Sequence, residues 1–241
     1  MIKIIISLTK IVIGLVIALV VSSCRFTGVS GDGNVTTNTR DVGADFTGVE
    51  AKRGIEVLIL QSDTHSVTVE ADSNLHQYIV TTVDNGILTV TSDESIANAE
   101  VLKVTVKMPV INKLSTAAGS SIKSGNVLTS DLMNISASSG SELRVEIESD
   151  KVISEASSGS TVDLRGKALS LEISSSSGST VDARKLLTNV ITAQANSGSS
   201  IDVHPIVSLD AKASSGSSID YHSIPKKITV KANSGGSVSQ Q

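Results

Sequence analysis

The chain has no tryptophan, and its 241 residues include only two tyrosines, two phenylalanines, three prolines and one cysteine. Aromatics at 2% exclude a core filled by large rings. They also argue against the stacked aromatic platforms on which sugar-cleaving enzymes seat their substrates. A single cysteine cannot close an intramolecular disulfide. No phosphate-binding loop and no dinucleotide fingerprint occur, and Gly31-Asp32-Gly33 is too short to count as one, so no cofactor is implied. Positive charge is also scarce. The formal net charge is −4, and removing the first 23 residues, with Lys3 and Lys10, leaves 18 basic against 24 acidic side chains. Such a surface has no basic stripe for a phosphate backbone, which excludes nucleic acid as a partner.

Aliphatic and small residues dominate instead, and the β-branched content favours strands. Residues 1–23 open with Lys3 and Lys10 and continue into an apolar run over residues 11–21. This is the charged start and short hydrophobic stretch of a signal peptide, too short beyond Lys10 to span a bilayer. It ends in Val21-Ser22-Ser23-Cys24, small residues before a cysteine, which resembles a bacterial lipobox. That resemblance implies cleavage before Cys24, lipidation of Cys24 and attachment to a membrane. Arg rather than Asp follows the cysteine, which favours the outer membrane. Residues 24–44 are rich in Gly, Thr, Asn, Ser and Asp without apolar periodicity, and read as a lipidated residue followed by a flexible tether.

From Phe46 onward the pattern is strand-like. Gly54-Ile55-Glu56-Val57-Leu58 and Ser66-Val67-Thr68-Val69-Glu70 are strand candidates, the second with strict alternation. Asp84-Asn85-Gly86 marks a hairpin turn, and Val104, Val106 and Met108 alternate with polar residues. Ser73 to His76 reads as a short helical turn, with His65 and His76 as solvated loop residues.

The second half carries a repeat. Ser-Gly-Ser-like motifs centre on Gly119, Gly140, Gly159, Gly178, Gly198, Gly216 and Gly235, spaced 18–21 residues apart. Three residues after each glycine stands a branched aliphatic: Ile122, Leu143, Val162, Val181, Ile201, Ile219 or Val238. Polar residues follow, then mostly apolar ones again, which is period two. Three residues before each glycine the side chain is small. Each unit therefore reads as one coil of a parallel β-solenoid, unable to bury its apolar face alone and stacked on its neighbours about 4.8 Å away. The glycine marks a corner needing positive φ or close approach, and its serines can bond the turn backbone. The expected domain is all-β over residues 45–241, with regular repeats over 115–238 and the N-terminal strands continuing into them.

After the corner glycines stand Asp163-Leu164-Arg165, Asp182-Ala183-Arg184, Asp202-Val203-His204 and Asp220-Tyr221-His222. Alternation puts both polar members of each triplet on one face, so aspartates stack beside cations. Asp163, Arg165, Asp182 and Arg184 read as a solvated charge ladder that also offers a binding surface. Asp202, His204, Asp220 and His222 are the candidate set for a weak divalent-metal site. Serines abound, but no base and orienting acid fall in register with them, so no catalytic residue is assigned.

Phe46-Thr47-Gly48-Val49, Gly54-Ile55-Glu56-Val57, Val67-Thr68-Val69-Glu70-Ala71, Gly86-Ile87-Leu88 and the Ser-Gly-Ser repeats together resemble the head-domain GIN family of autotransporter-type adhesins, common in Bacteroidetes. The eponymous Gly-Ile-Asn departs here, with Glu56 in place of Asn. The resemblance implies a right-handed β-helix on an exported, envelope-attached protein; it does not supply an activity. The function expected is a non-catalytic envelope lipoprotein, adhesin-like or scaffolding, presenting a polar surface to an envelope or host protein or a glycan. The alternatives are a polysaccharide-acting β-helix enzyme and a periplasmic sensing or regulatory binding module. The last coil has no evident cap, which gives a route to homo-oligomers.

Overall fold

The computed structural model describes Lys10 and residues 28–241. The lipobox and Cys24 lie outside the described residues. No helix among the described residues is long and apolar enough to cross a membrane.

Nineteen strands dominate the described residues. The N-terminal part holds β1 (Val29–Ser30), β2 (Val35–Arg40), β3 (Gly48–Ala51), β4 (Glu56–Gln61), β5 (Ser66–Asp72), β6 (Ile79–Asp84), β7 (Ile87–Ser92), β8 (Ile96–Asn98) and β9 (Leu102–Met108). The repeat region holds β10 (Lys113–Thr116), β11 (Ser121–Ser124), β12 (Leu128–Ala137), β13 (Glu142–Ala156), β14 (Thr161–Ser175), β15 (Thr180–Ala195) and β16 (Ser200–Ala213). It ends with β17 (Ser218–Tyr221), β18 (Lys227–Ala232) and β19 (Ser237–Gln240). From β10 to β19 every pairing is parallel, and each coil lies on the next. The result is a β-solenoid of about seven turns.

The alternation in the sequence becomes a continuous interior. Ile122, Leu143, Val162, Val181, Ile201 and Ile219 are register partners on consecutive rungs, and all are fully buried. A second column runs through Leu114, Ile135, Ser154, Ile173, Ala193 and Ala211. Ser154 interrupts it as a buried hydroxyl with no partner.

The corners explain the Ser-Gly-Ser motif. Each glycine has φ between 67° and 79°, and the residue before it, Ala118 or a serine, has φ between 50° and 54°. Two successive left-handed residues make the primed turn that glycine tolerates at low cost. A Cβ on Gly119, Gly140, Gly159, Gly178, Gly198 or Gly216 would meet nothing within 4 Å. Conformation, not crowding, therefore demands glycine there. The serine after each of these glycines is buried and acts as a clamp. Ser120, Ser141, Ser160, Ser179, Ser199 and Ser217 donate from Oγ to a carbonyl of the preceding coil at 2.6–3.0 Å. Each Oγ also accepts the backbone N–H three residues earlier at 3.0–3.2 Å. Gly236 takes the serine's place in the last corner, so that coil lacks the clamp.

Two features of the N-terminal part bear on the sequence reading. First, its strands continue into the solenoid, as expected. β3 and β4 form a coil around a corner at Arg53-Gly54 and stack directly on β10 and β11, pairing Ala51 with Thr116 and Val57 with Ile122. On their other side lie β7 and β9, pairing Val90 with Ala51 and Val104 with Val57. The coil of residues 48–61 thus sits between two coils that follow it in the chain. Second, residues 28–40 are not a free tether. β2 pairs antiparallel with β5 from Val35–Asp72 to Arg40–Val67, and β1 pairs with β8. The side chains of β2 stay exposed, so no apolar periodicity is needed; main-chain bonds to the edge of β5 hold it. β5 is in turn antiparallel to β9, and β6 to β7, so this end of the solenoid is covered by reversed strands. The Asp84-Asn85-Gly86 turn and the helical turn at Ser73–Leu75 stand where the sequence places them.

Candidate functional site

The polar residues after the corners do form a ladder. Asp163, Asp182, Asp202 and Asp220 are register partners on four consecutive rungs. Carboxylates at that spacing repel, and every one of them has found a partner. Arg165 reaches Asp163 with Nε and Nη2 at 3.1 and 2.6 Å, and Arg184 reaches Asp182 at 2.9 and 2.5 Å. These are two-pronged guanidinium–carboxylate pairs. Arg184 also stands 4.0 Å from Asp202. His222 reaches back one rung to Asp202 at 2.8 Å. Asp220 accepts from Ser239 Oγ at 2.5 Å and from Gln241 Nε2 at 3.0 Å.

The proposed metal set does not converge. Asp202, Asp220 and His222 occupy neighbouring rungs, but Oδ1 of each aspartate and Nε2 of His222 are taken up by the contacts above. An irregularity between Ala183 and Leu187 shifts the register, so His204 lies opposite Leu187 instead of Arg184. Among the described residues no group of three or more His, Cys, Asp or Glu side chains gathers as a metal ion would require. The two other histidines have structural roles. His65 meets the ring of Phe46 edge-on, with centroids 5.1 Å apart, and His76 Nε2 shares a hydrogen bond with Thr36 Oγ1 at 3.0 Å.

Electrostatics follow the geometry. The hydrogen bonds from Arg184 hold the Asp182 carboxyl below its ordinary value against the opposing effect of burial. The hydrogen bonds to Asp163 and Asp182 in turn raise Arg165 and Arg184. A carboxyl with a depressed folded-state pKa adds stability that is present above the unfolded value and lost as pH falls through the folded one. Asp182→Asn is therefore expected to lower the melting temperature by about 2 °C at pH 7, a small effect because the pair is half exposed and screened by solvent. The difference should shrink as pH falls below the ordinary carboxyl value of 3.8 and vanish below the lowered folded-state value. Thermal melts of both proteins by circular dichroism across that range check the sign.

A second feature is a groove that aligning the sequence on its glycines does not reveal. It runs along the solenoid where each coil bends between the corner-following strand and the next face, crossing β12 to β16.

The family model described as "putative auto-transporter adhesin, head GIN domain" matches residues 45–225. The chain belongs to that family. The head GIN domain accounts for both the covered N-terminal end and the repeating coils, since the match begins just before β3 and ends past β17. A search of curated proteins finds no match. Among solved structures, the head GIN fold is shared with a putative adhesin from Bacteroides fragilis at 19% identity and a TM-score of 0.82, covering 89% of this chain and 100% of that one. A putative adhesin from Parabacteroides merdae aligns at 18% identity and a TM-score of 0.71, covering 88% and 98% of the two chains. A protein from Parabacteroides distasonis described as a putative lipid binding protein aligns at 17% identity and 0.70, covering 88% and 99%. At these identities the likeness establishes the fold.

Proposed function

We propose that the protein is a non-catalytic, adhesin-like module of the cell envelope. It is exported, held to the outer membrane through lipid on Cys24, and presents its polar rungs to a protein or glycan partner. The observation that carries this reading is the ladder itself. Charged side chains stand in register on successive coils, each hydrogen-bonded to a neighbour, which suits a regular display surface rather than an activated acid, base or nucleophile. The family description supports an adhesin-like role.

The test follows the anchor and the surface together. The wild-type protein is expected in the membrane fraction with an acylated N-terminal cysteine by mass spectrometry, and Cys24→Ala should release it. Protease treatment of intact cells should remove the domain. An unmodified N-terminus, or a domain protected in intact cells, overturns the anchor or the surface display respectively. Depolymerisation of a glycan by the purified protein would replace this reading with the enzymatic one.

A further inference from the structure

The groove on β12 to β16 is built from three columns of side chains. The floor is short: Ser130, Ser149, Ala168 and Thr188 are register partners on four successive rungs, with Pro205 next. Ala168, Thr188 and Pro205 are buried. Residues one place before and one place after each floor position project outward as walls, as alternation along a strand requires. The space enclosed is about 630 Å³, within the range of sites that hold small organic ligands.

Its two ends differ in chemistry. On the rungs of β12 and β13 the walls carry Asp131, Glu148 and Asp150, all exposed. On the rungs of β14 to β16 they carry Leu169, Leu187 and Ile206, which are 55%, 42% and 44% exposed. Three large aliphatics on consecutive rungs stand open to water within one groove and form an unfilled apolar surface there. Lys167 stands between the ends, 3.5 Å from Glu148, and leaves two carboxylates uncompensated.

We infer that this groove binds a single-chain amphiphile with a cationic headgroup, its hydrocarbon over Leu169, Leu187 and Ile206 and its head beside Asp131 and Asp150. Dimensions and charge both select this class. Five rungs at about 4.8 Å span roughly 19 Å, of which the three apolar rungs take about 10 Å. An acyl chain of ~15 Å, the depth of one leaflet of bilayer hydrocarbon, therefore covers the apolar rungs and sets its head beside Asp131 and Asp150. Walls two residues apart stand only about 7 Å from each other along an extended strand, which admits a polymethylene chain and no β-strand with its side chains. The floor backbone is already paired on both sides, so it offers no free edge to a peptide. Excess carboxylate at one end favours a cation over an anion of equal chain length. This site is separate from the charge ladder and does not depend on the adhesin-like reading.

The test uses the full mature chain carrying Cys24→Ala, so that its own lipid does not compete. Dodecyltrimethylammonium, dodecyl maltoside and dodecyl sulfate are titrated below their micelle concentrations by calorimetry. Saturable one-to-one binding is expected, with the cationic probe about fivefold tighter than the anionic one. Asp131→Asn with Asp150→Asn should abolish that preference. Leu187→Ser with Ile206→Ser should weaken the cationic probe about tenfold or more. All four positions are exposed, so melting curves should stay unchanged and a loss of binding reports on the groove. Absence of saturable binding, equal affinity for the three heads, or full binding by the Leu187→Ser, Ile206→Ser variant overturns the proposal.

Discussion

Gly166→Ala is expected to destabilise the protein by about 3–5 kcal/mol, more than alanine at any corner glycine. Gly166 lies in the middle of β14 with φ of 107°, a conformation that side chains avoid. A Cβ there would stand 2.2 Å from the carbonyl oxygen of Ile147 on the neighbouring coil. That carbonyl belongs to a backbone paired rung by rung with β14, from Glu142–Thr161 to Ala156–Ser175, so it cannot give way without parting the ladder. Gly178 supplies the control. Its φ is 70° and nothing lies within 4 Å of its would-be Cβ. Gly178→Ala should therefore cost only the left-handed penalty, about 1–2 kcal/mol. With no tryptophan to report unfolding, urea titration followed by far-ultraviolet circular dichroism is the measurement. Equal losses at the two positions would refute the crowding argument.

The second large effect is expected from Ile201→Ala, about 3–4 kcal/mol. Ile201 is fully buried between Val181 and Ile219, and the coils above and below it are fixed by main-chain bonds. The rungs cannot close on the space left behind, so the cavity penalty adds to the lost transfer energy. Ile206 lies on the same strand with nearly half its surface exposed, and Ile206→Ala should change stability by less than about 0.5 kcal/mol. The same titration compares them. Similar losses would mean that the apolar column does not carry the stability of the solenoid.

The regular coils were legible because a period of 18–21 residues repeats one physical requirement, a positive-φ corner followed by an inward aliphatic. The eighth corner, Arg53-Gly54, escaped that pattern. It has Arg53 where later corners have Ala or Ser, and buried Ile55 in place of the clamp serine. It is also separated from Gly119 by the strands β5 to β9. The β2 strand reads as a tether in the sequence because an edge strand held only by backbone bonds leaves no hydrophobic imprint. In the ladder, the aspartates could be placed by counting from the glycines, since the first few positions after each corner keep register. His204 could not, because the irregularity at Ala183–Leu187 shifts everything beyond it. The groove escaped for the same reason: its wall residues Lys167 and Leu187 fall at different distances from their corner glycines, although they are direct partners across the sheet.

The interleaved coil of residues 48–61 constrains the order in which the chain can assemble. In the regular region, partners such as Val162 and Val181 lie 19 residues apart, whereas Val57 must find Ile122 across 65. Closing the longer loop costs about 1 kcal/mol more chain entropy. Growth from a seed in the later rungs toward the first ones is therefore favoured, and synthesis, which releases the N-terminus first, runs against it. Until residues near 122 are out, the first coil has no upper neighbour and its sheet edge stands open. In a growing chain, that interval is when a holding chaperone has most to protect.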